Sequence, residues 1–149
     1  MIEIDRAGVK DHGIVTGLLL NFFDARGWKP EVDRDRWDRV LAELLNSDGW
    51  LFLIAREDGE PVGLAAVNWY LTLYSSREKG RLSALFVDEE SRRQRIGTEL
   101  MDSVLGAARR RGCRELETTV NPGDASTIAF YHKFEPSTEL KVLTWQFDE

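Results

Sequence analysis

Hydrophobic and polar positions follow one period in the first third of the chain and another period after residue 50. Residues 2–6 alternate between apolar and polar side chains, which predicts a short strand. Two helical patterns come next, the first between a candidate N-cap at Asp11 and a stop at Gly27, the second from Pro30 to about Leu45. The chain therefore opens with one strand and two predicted helices.

From residue 50 onward, the patterns predict mostly strands. A hairpin turn, Glu57 to Glu60, separates the first two strands, and a loop over residues 75–80 precedes the third. A helix with Gly112 as its stop separates these strands from the C-terminal elements. The predicted strands cover residues 50–56, 61–74, 81–87, 114–121 and 140–147, and the predicted helices cover residues 93–111 and 124–133.

The resulting order, β-α-α-β-β-β-α-β-α-β, defines the predicted fold class. Three consecutive strands predict an antiparallel meander, and the strand–helix–strand step from residue 81 to 121 predicts a right-handed crossover between parallel strands. We therefore expect an α/β fold over residues 1–149 as a single domain. Its mixed sheet would have six to seven strands and helices on both faces.

Composition narrows the class of protein. The 149 residues are 42% hydrophobic and 31% charged, which is typical of a globular domain. No apolar run is long enough for a membrane-spanning helix, and the charged N-terminus does not resemble a secretory signal. A single cysteine, Cys113, excludes an internal disulfide. We therefore expect a cytoplasmic protein that neither binds nor crosses a membrane.

Charge is distributed unevenly. Residues 91–114 contain seven arginines and two acidic residues, a local charge of +5, which leaves −11 for the rest of a chain whose net charge is −6. A nucleic-acid-binding protein would normally be basic over a broad face. The pattern argues against nucleic acid and favours a site for a small anionic group.

The turn between the strand at 81–87 and the following helix is the main candidate for that site. Amides at a helix start have no partner within the helix, and Gly97 would let an anion approach them closely. The simpler interpretation is a solvated turn whose arginines are balanced by Asp88, Glu89 and Glu90. The turn contains neither a Walker loop nor a dinucleotide fingerprint.

Two segments resemble the GNAT superfamily of acetyl-CoA-dependent N-acetyltransferases. The turn Arg92 to Gly97 matches the family pattern R/Q-x-x-G-x-G/A, except that Arg95 replaces the first glycine. The segment 124–136 contains the family-like core Ile-Ala-Phe-Tyr-x-Lys-Phe, although Glu135-Pro136 replaces the usual Gly-Phe and Asp124 replaces a common Asn. The specific resemblance covers about residues 82–134.

The resemblance implies acetyl-CoA as the cosubstrate. Its pyrophosphate would bind backbone amides of the turn, and its pantetheine arm would run along the strand end, where a backbone N–H near Phe86 or Val87 would polarise the acetyl carbonyl. The implied binding residues are Leu85, Phe86, Val87, Arg92, Arg93, Gln94, Arg95, Ile96, Gly97, Thr98, Asn121, Asp124 and Tyr131.

The resemblance also makes Tyr131 the expected acid for the departing thiolate, with a core aromatic as the alternative. The general base is open. Thr119 falls where some relatives place a catalytic Glu, and Glu117 lies two residues earlier and could act through a water. Asn121 and Asp124 are further candidates, and solvent alone could also serve. No cluster has metal-ligand spacing, and His12 and His132 are expected to be surface residues.

In this family the acceptor site is built from the first two helices and the middle hairpin. That region offers many aromatic side chains beside carboxylates, which suits a small cationic amine with an apolar body. Alternatives are a protein lysine or N-terminal acetyltransferase and a non-catalytic acyl-CoA-binding module; relatives often form homodimers. The residues in question are Phe22, Phe23, Trp28, Trp37, Trp69, Tyr70 and Tyr74, with Asp24, Asp33 and Asp35.

Overall fold

A computed structural model describes residues 1–28 and 33–147, with the side chains of residues 92–94 excepted. The chain forms two compact units, residues 1–117 and 118–149. Its elements are β1 (Ile2–Arg6), α1 (His12–Ala25), α2 (Arg34–Leu45), β2 (Trp50–Glu57), β3 (Glu60–Leu71), β4 (Glu78–Val87), α3 (Ile96–Arg110), β5 (Glu115–Thr118) and α4 (Ala125–His132), with short 3₁₀ turns at Val9–Asp11 and Glu89–Gln94.

The strands form one mixed sheet in the order β1-β2-β3-β4-β5, with antiparallel pairing throughout the first four. The hairpin between β2 and β3 turns at Asp58 and Gly59, both in the left-handed region with φ of 50° and 88°. Positive φ at both central residues gives the strands the twist that a tight hairpin needs. The α/β class and the element order up to α4 confirm the sequence prediction.

The number of strands was predicted wrongly. Among the described residues the sheet has five strands, because residues 140–147 form no strand. Their alternating apolar side chains are exposed instead, with Leu140 at 84% and Phe147 at 90%. Alternation predicts a strand only where a neighbouring edge accepts its hydrogen bonds, and that is a tertiary condition.

Several boundaries also differ from the sequence prediction. β3 ends at Leu71 and β4 begins at Glu78, which shifts the predicted loop from residues 75–80 to residues 72–77. The predicted helix start at residue 93 is wrong, because a 3₁₀ turn occupies Glu89–Gln94 and α3 begins at Ile96. β5 ends at Thr118 rather than residue 121. Pro30, the predicted start of the second helix, lies outside the described residues.

Helix ends carry capping residues, although the Asp11 side chain, predicted to cap α1, makes no capping hydrogen bond to that helix. The Asp33 side chain accepts a hydrogen bond from the Arg36 amide at 3.2 Å and starts α2. Gly27 and Gly112, the predicted stops, both have positive φ just after α1 and α3. A glycine adopts this conformation without a steric penalty, so both helices end where the sequence indicates.

In the first unit, helices pack against both faces of the sheet. One face of β2 and β3 presents Phe52, Ile54 and Leu64 to a core that also contains Val15 of α1 and Leu41 of α2. Because side chains alternate along a strand, the neighbouring residues point the other way. On that second face, Leu100 of α3 lies against Gly63 of β3, beside Ala55 of β2.

In the second unit, α4 is capped by Asp124, whose carboxylate accepts from the Thr127 amide at 3.1 Å and the Thr127 hydroxyl at 2.7 Å. Phe130 contacts Tyr131 and Phe134 edge to face, with ring centroids 5.3 Å and 5.4 Å apart. The helix itself has no fully buried residue. In the part of the chain that the structure describes, no helix is both long and apolar enough to cross a membrane.

Candidate functional site

The turn between β4 and α3 passes through one residue with an unusual backbone. Arg95, the N-cap residue of α3, has φ 63° and ψ 15°, in the left-handed region that costs an L-residue roughly 1–2 kcal/mol. Position 95 is where the family pattern has glycine. The structure gives that pattern a physical reason, because glycine adopts this conformation freely.

The first turn of α3 presents backbone N–H groups beside the end of β4. The Arg95 side chain makes no capping hydrogen bond, and the first backbone hydrogen bond of the helix runs from the Glu99 amide to the Arg95 carbonyl at 3.0 Å. Ile96 is fully buried and anchors the helix, whereas Gly97 and Thr98 are partly exposed. This turn combines a positive helix end with a residue that lacks a side chain, as a diphosphate requires.

The arginines of the turn can be placed only in part. The Arg95 side chain is exposed. Arg92, Arg93 and Gln94 lie on the 3₁₀ turn, and their side chains are outside the described part of the structure. Their predicted contribution to anion binding stays a prediction.

β4 carries a bulge in front of its last residues. Ala84 lies opposite Ala66 of β3, whereas Leu82 lies opposite Val67, so Ser83 has no opposing residue in the register. An extra residue of this kind bends a strand and re-aims its side chains. Ser83 and Ala84 both line a cavity on the α1/α2 face of the sheet.

That cavity, which we call the aromatic cavity, has a volume of about 210 Å³. It lies between α1, α2 and the sheet, within the first unit. Among the described residues, its lining consists of aromatic rings, aliphatic side chains and one hydroxyl group. The lining residues are Leu19, Phe22, Phe23, Trp28, Trp37, Val40, Leu41, Leu44, Trp50, Phe52, Ala66, Ser83 and Ala84.

Part of this lining was predicted and part was missed. Of the predicted acceptor aromatics, those in α1, α2 and their connection line the cavity, but Trp69, Tyr70 and Tyr74 do not. Trp50 and Phe52 were missed, and their rings stack with centroids 5.7 Å apart. Their even spacing on β2 marked them as one face of a strand, but nothing in the sequence indicated which face the cavity occupies.

A charged cluster lies on the same face of the sheet, at the end of β3, because Tyr70 and cavity-lining Ala66 have the same parity on that strand. The Tyr70 hydroxyl donates to Glu117 Oε1 at 2.5 Å, and Lys79 Nζ lies 3.1 Å from Glu117 Oε2. Arg81 is 3.7 Å from Glu117 Oε1. The predicted candidate base is therefore held by donors from two neighbouring strands.

These contacts shift the pKa values of Glu117 and Tyr70. Partial burial raises the pKa of Glu117, but the Tyr70 hydrogen bond, Lys79 and Arg81 outweigh burial, so the pKa is lower than usual. Burial and the hydrogen bond to Glu117 raise the pKa of Tyr70 to about 12. At neutral pH the pair is therefore a carboxylate and a protonated phenol, and Glu117 is a weak proton acceptor.

The other candidate residues lie in the second unit. Thr119 follows the end of β5. Asn121 accepts from the Gly123 amide at 2.8 Å, and Asp124 caps α4. Tyr131 is partly exposed on α4.

Other reactive side chains have ordinary surroundings. His12 Nε2 is 3.0 Å from the Asp38 carbonyl, and His132 Nε2 is 2.7 Å from Glu139 Oε1. Partial burial raises the pKa of the Cys113 thiol, which makes it a poorer nucleophile. Among the described residues, no group of three or more His, Cys, Asp or Glu side chains could hold a metal ion.

Comparison with known proteins gives a family and several structural neighbours. Residues 18–135 match the model of the acetyltransferase (GNAT) family. An uncharacterized N-acetyltransferase of Methanocaldococcus jannaschii is 32% identical over 132 residues, or 86% of this chain; the chain spans 58% of that relative's length.

Two solved structures show how widely the fold is shared. An aminoglycoside acetyltransferase from an uncultured soil metagenomic sample, in complex with sisomicin, matches with a TM-score of 0.86 at 21% identity, covering 99% of this chain and 96% of that one. A ribosomal-protein-alanine N-acetyltransferase of Brucella melitensis matches with a TM-score of 0.80 at 18% identity, covering 99% and 100%. At these identities the likeness concerns the fold alone.

Proposed function

This chain belongs to the GNAT family of acetyltransferases, and from that premise we propose that it transfers an acetyl group from acetyl-CoA to a primary amine. The observation that carries the proposal is the turn from β4 into α3, where one 3₁₀ turn links the strand end to the backbone N–H groups and Gly97 of the first helical turn. Family membership implies acetyl-CoA as the cosubstrate. The same turn fits the diphosphate of that molecule.

The residues proposed to hold acetyl-CoA are those of the strand end and the turn. The amides of Gly97 and Thr98 would donate to the diphosphate, and the backbone of Leu85–Val87 would align the pantetheine arm. Immediately before β5, the Arg114 amide donates to the carbonyl of Glu78, the first residue of β4, at 2.9 Å. Asn121 and Asp124 are proposed as further contacts on the resemblance alone.

When bound, acetyl-CoA supplies the acetyl group as a thioester. An N–C bond forms as the C–S bond breaks, the amine nitrogen loses a proton, and the thiolate gains one. An ordinary amine, with a pKa of about 10, is mostly protonated at neutral pH and must first become neutral. We assign the proton for the thiolate to the Tyr131 hydroxyl, as the resemblance implies.

We assign the amine proton to solvent rather than to Glu117 or Thr119. The carboxylate of Glu117 is engaged by Tyr70 and Lys79, and its lowered pKa weakens it as a base. We expect Glu117→Gln to keep kcat at pH 7 within about threefold, because a true general base contributes roughly 10²–10⁴-fold. A hundredfold loss, with acetyl-CoA affinity unchanged, would instead identify Glu117 as the base.

Cofactor binding is tested on α3 with a matched pair of glycines. Gly97→Ala adds a methyl group in the first turn, where the diphosphate would lie, and should weaken acetyl-CoA binding about tenfold or more. Gly106→Ala adds the same group to the same helix, where it meets only the Arg110 guanidinium at 3.2 Å, and should leave binding unchanged. Isothermal calorimetry measures both affinities.

For the wild-type protein, acetyl-CoA at about 100 times its Kd should add about 2.7 kcal/mol to the free energy of unfolding. A thermal melt detects this increase as a higher Tm. No shift at millimolar acetyl-CoA would overturn the proposed function.

The role of Tyr131 is tested by Tyr131→Phe, which removes the hydroxyl and keeps the ring. We expect kcat to fall about 10²-fold or more while acetyl-CoA affinity is retained. Tyr74→Phe, at a residue that is 92% exposed and outside the proposed machinery, is the control. Unchanged turnover in Tyr131→Phe would remove this tyrosine from the mechanism.

A further inference from the structure

The aromatic cavity has a lining whose chemistry selects among amines. Six of its described lining residues carry aromatic rings, and Ser83 supplies the hydroxyl group. Among the residues that the structure describes, none with a charged side chain lines it. An uncharged aromatic wall recognises flat apolar groups by contact area and ring packing.

The rings form a connected series that reaches β4. Phe23 packs edge to face on Trp28, with ring centroids 4.9 Å apart, and on Phe22 at 5.9 Å. Phe22 in turn packs edge to face on Phe86, also at 5.9 Å. Phe86 belongs to the strand segment proposed to align the thioester arm. A ring held in the cavity would therefore lie beside the proposed reaction site.

Two guanidinium groups lie against rings that line the cavity. The Arg26 guanidinium lies 4.4 Å from the centroid of the Phe22 ring, and the Arg34 guanidinium lies 5.4 Å from that of Trp37. Of the carboxylates predicted to attract a cationic acceptor, Asp33 instead caps α2. Arg34 is paired with Asp38, with Nε 3.2 Å from Oδ1. Of the two guanidinium groups, Arg26 therefore disfavours a polycation and favours an amine in its neutral form.

From these observations we infer that the acceptor is a monoamine carrying one aromatic ring on a short arm, bound with the ring in the aromatic cavity. The inference rests on the proposed acetyl transfer and names its substrate class. An apolar cavity of about 150 Å³ holds benzene. The cavity of about 210 Å³ therefore has room for one ring and a short chain.

The arm of the ligand would point toward β4. Ser83 is the bulged residue of that strand and supplies the polar group of the described lining. Its hydroxyl oxygen can accept a hydrogen bond from the amine, which leaves the nitrogen lone pair free for attack. The transfer itself is the one given above, with the amine nitrogen forming the bond to the acetyl carbon.

A panel of amines tests the substrate class through thiol release from acetyl-CoA. Phenethylamine is compared with butylamine, which has the amine but no ring, and with spermidine, kanamycin and a lysine peptide. We expect kcat/KM for phenethylamine to exceed that for butylamine about tenfold or more, because burial of a phenyl ring contributes that much. A preference for spermidine, kanamycin or the peptide would overturn the inference.

Variants of the lining residues test where the amine binds, through affinity measurements that need no catalytic turnover. Trp28→Ala removes a ring that is 54% exposed at the cavity, so the fold should tolerate it, and Ala84→Leu fills the cavity from β4. Calorimetry without acetyl-CoA should show phenethylamine affinity reduced about tenfold in both. Tyr74→Ala removes an exposed ring outside the lining and should change nothing. Unchanged affinity in Trp28→Ala and in a folded Ala84→Leu would refute the site.

The two proposals fail in different ways. Suppose that phenethylamine binds the wild-type protein, that the lining variants weaken this binding, and that acetyl-CoA produces no thermal shift. The proposed transfer is then wrong and the aromatic-amine site stands. If acetyl-CoA binds and other amines are acetylated while phenethylamine does not bind, the transfer stands and the inference on substrate class is wrong.

Discussion

The two faces of the sheet in the first unit differ in how completely they are filled. On the α3 face, a methyl group added at Gly63 would lie 3.1 Å from Leu100 Cδ1 and 3.0 Å from the Phe86 carbonyl oxygen. On the α1/α2 face, the same strands border a cavity of about 210 Å³. The α3 face is therefore closed, whereas the α1/α2 face, which also contains buried core residues, keeps space that a small ligand can fill.

Because of this difference, α3 supports the β4–α3 turn, whereas α1 and α2 form walls of the aromatic cavity. The closed face fixes α3, and thereby the turn that begins at Arg95, because Ile96, Leu100 and Val104 are fully buried. The open face has aromatic walls that are only partly buried, such as Phe22 and Trp37. A site needs both a rigid support and an unfilled volume, and here opposite faces of one sheet provide them.

The largest expected difference is between two leucine deletions. Leu100→Ala removes a fully buried side chain from the closed face and should lower the free energy of unfolding by about 3–5 kcal/mol. Leu44→Ala enlarges a space that already exists beside a partly buried side chain, so about 1–2 kcal/mol is expected. Urea unfolding of both variants measures the contrast, and equal losses would contradict a closed and an open face.

Adding atoms to β3 sharpens the same comparison. Gly63→Ala forces the Leu100 side chain and the backbone at Phe86 to move, and it should lower the free energy of unfolding by about 1–3 kcal/mol. In Ala66→Val, the larger side chain would point into the aromatic cavity from the same strand. We expect this variant to change the free energy of unfolding by less than about 0.5 kcal/mol and to weaken amine binding. Thermal melts and calorimetry together test this, and a larger loss for Ala66→Val would show that the cavity cannot accept a side chain.

Arg95→Gly tests the turn that the closed face supports. Glycine adopts φ 63° freely, so the free energy of unfolding should rise by about 1 kcal/mol. Gly106→Ala, in the helix interior, checks that the assay resolves changes of this size. If acetyl-CoA affinity stays unchanged in Arg95→Gly, the side chain does not contact the cosubstrate; a drop in affinity shows that it does. A loss of stability would contradict the left-handed backbone at this residue.

The smallest expected effect concerns the charged cluster beside the open face. The pKa of Glu117 is lower in the folded state, so the carboxylate stabilises the fold above its ordinary pKa of 4.5, and this contribution is lost as the pH falls. Because Glu117 is about one-third exposed, Glu117→Gln should cost less than about 1 kcal/mol at pH 7, and this cost should shrink as the pH falls below 4.5. Tm measured against pH for both proteins shows whether the difference shrinks.

The same variant changes the acidity of Tyr70. Its pKa of about 12 depends on burial and on the bond to Glu117, so it should fall toward 10 in Glu117→Gln. The raised pKa of Tyr70 stabilises the fold below pH 10, and this stabilisation is lost as the pH rises toward 12. Ultraviolet titration of the phenols follows this change, and an unchanged curve would show that the hydrogen bond is absent in solution.

Local patterns determined much of the molecule. Alternation and helical spacing predicted the element order up to α4, and Gly27, Gly112 and Asp33 lie at helix ends because backbone sterics and capping act over a few residues. The β4–α3 turn was recognisable for the same reason, since the elements that form it are contiguous in the chain.

The aromatic cavity and the Glu117 cluster depended on the tertiary structure. The cavity combines residues from α1, α2, β2, β3 and β4, and sequence spacing does not show which strand face meets which helix. Glu117 and Tyr70 are 47 positions apart, so the contact that lowers the carboxyl pKa exists only once β3, β4 and β5 lie side by side. Residues 140–147 show the converse, because an alternating pattern forms no strand unless packing brings it a partner.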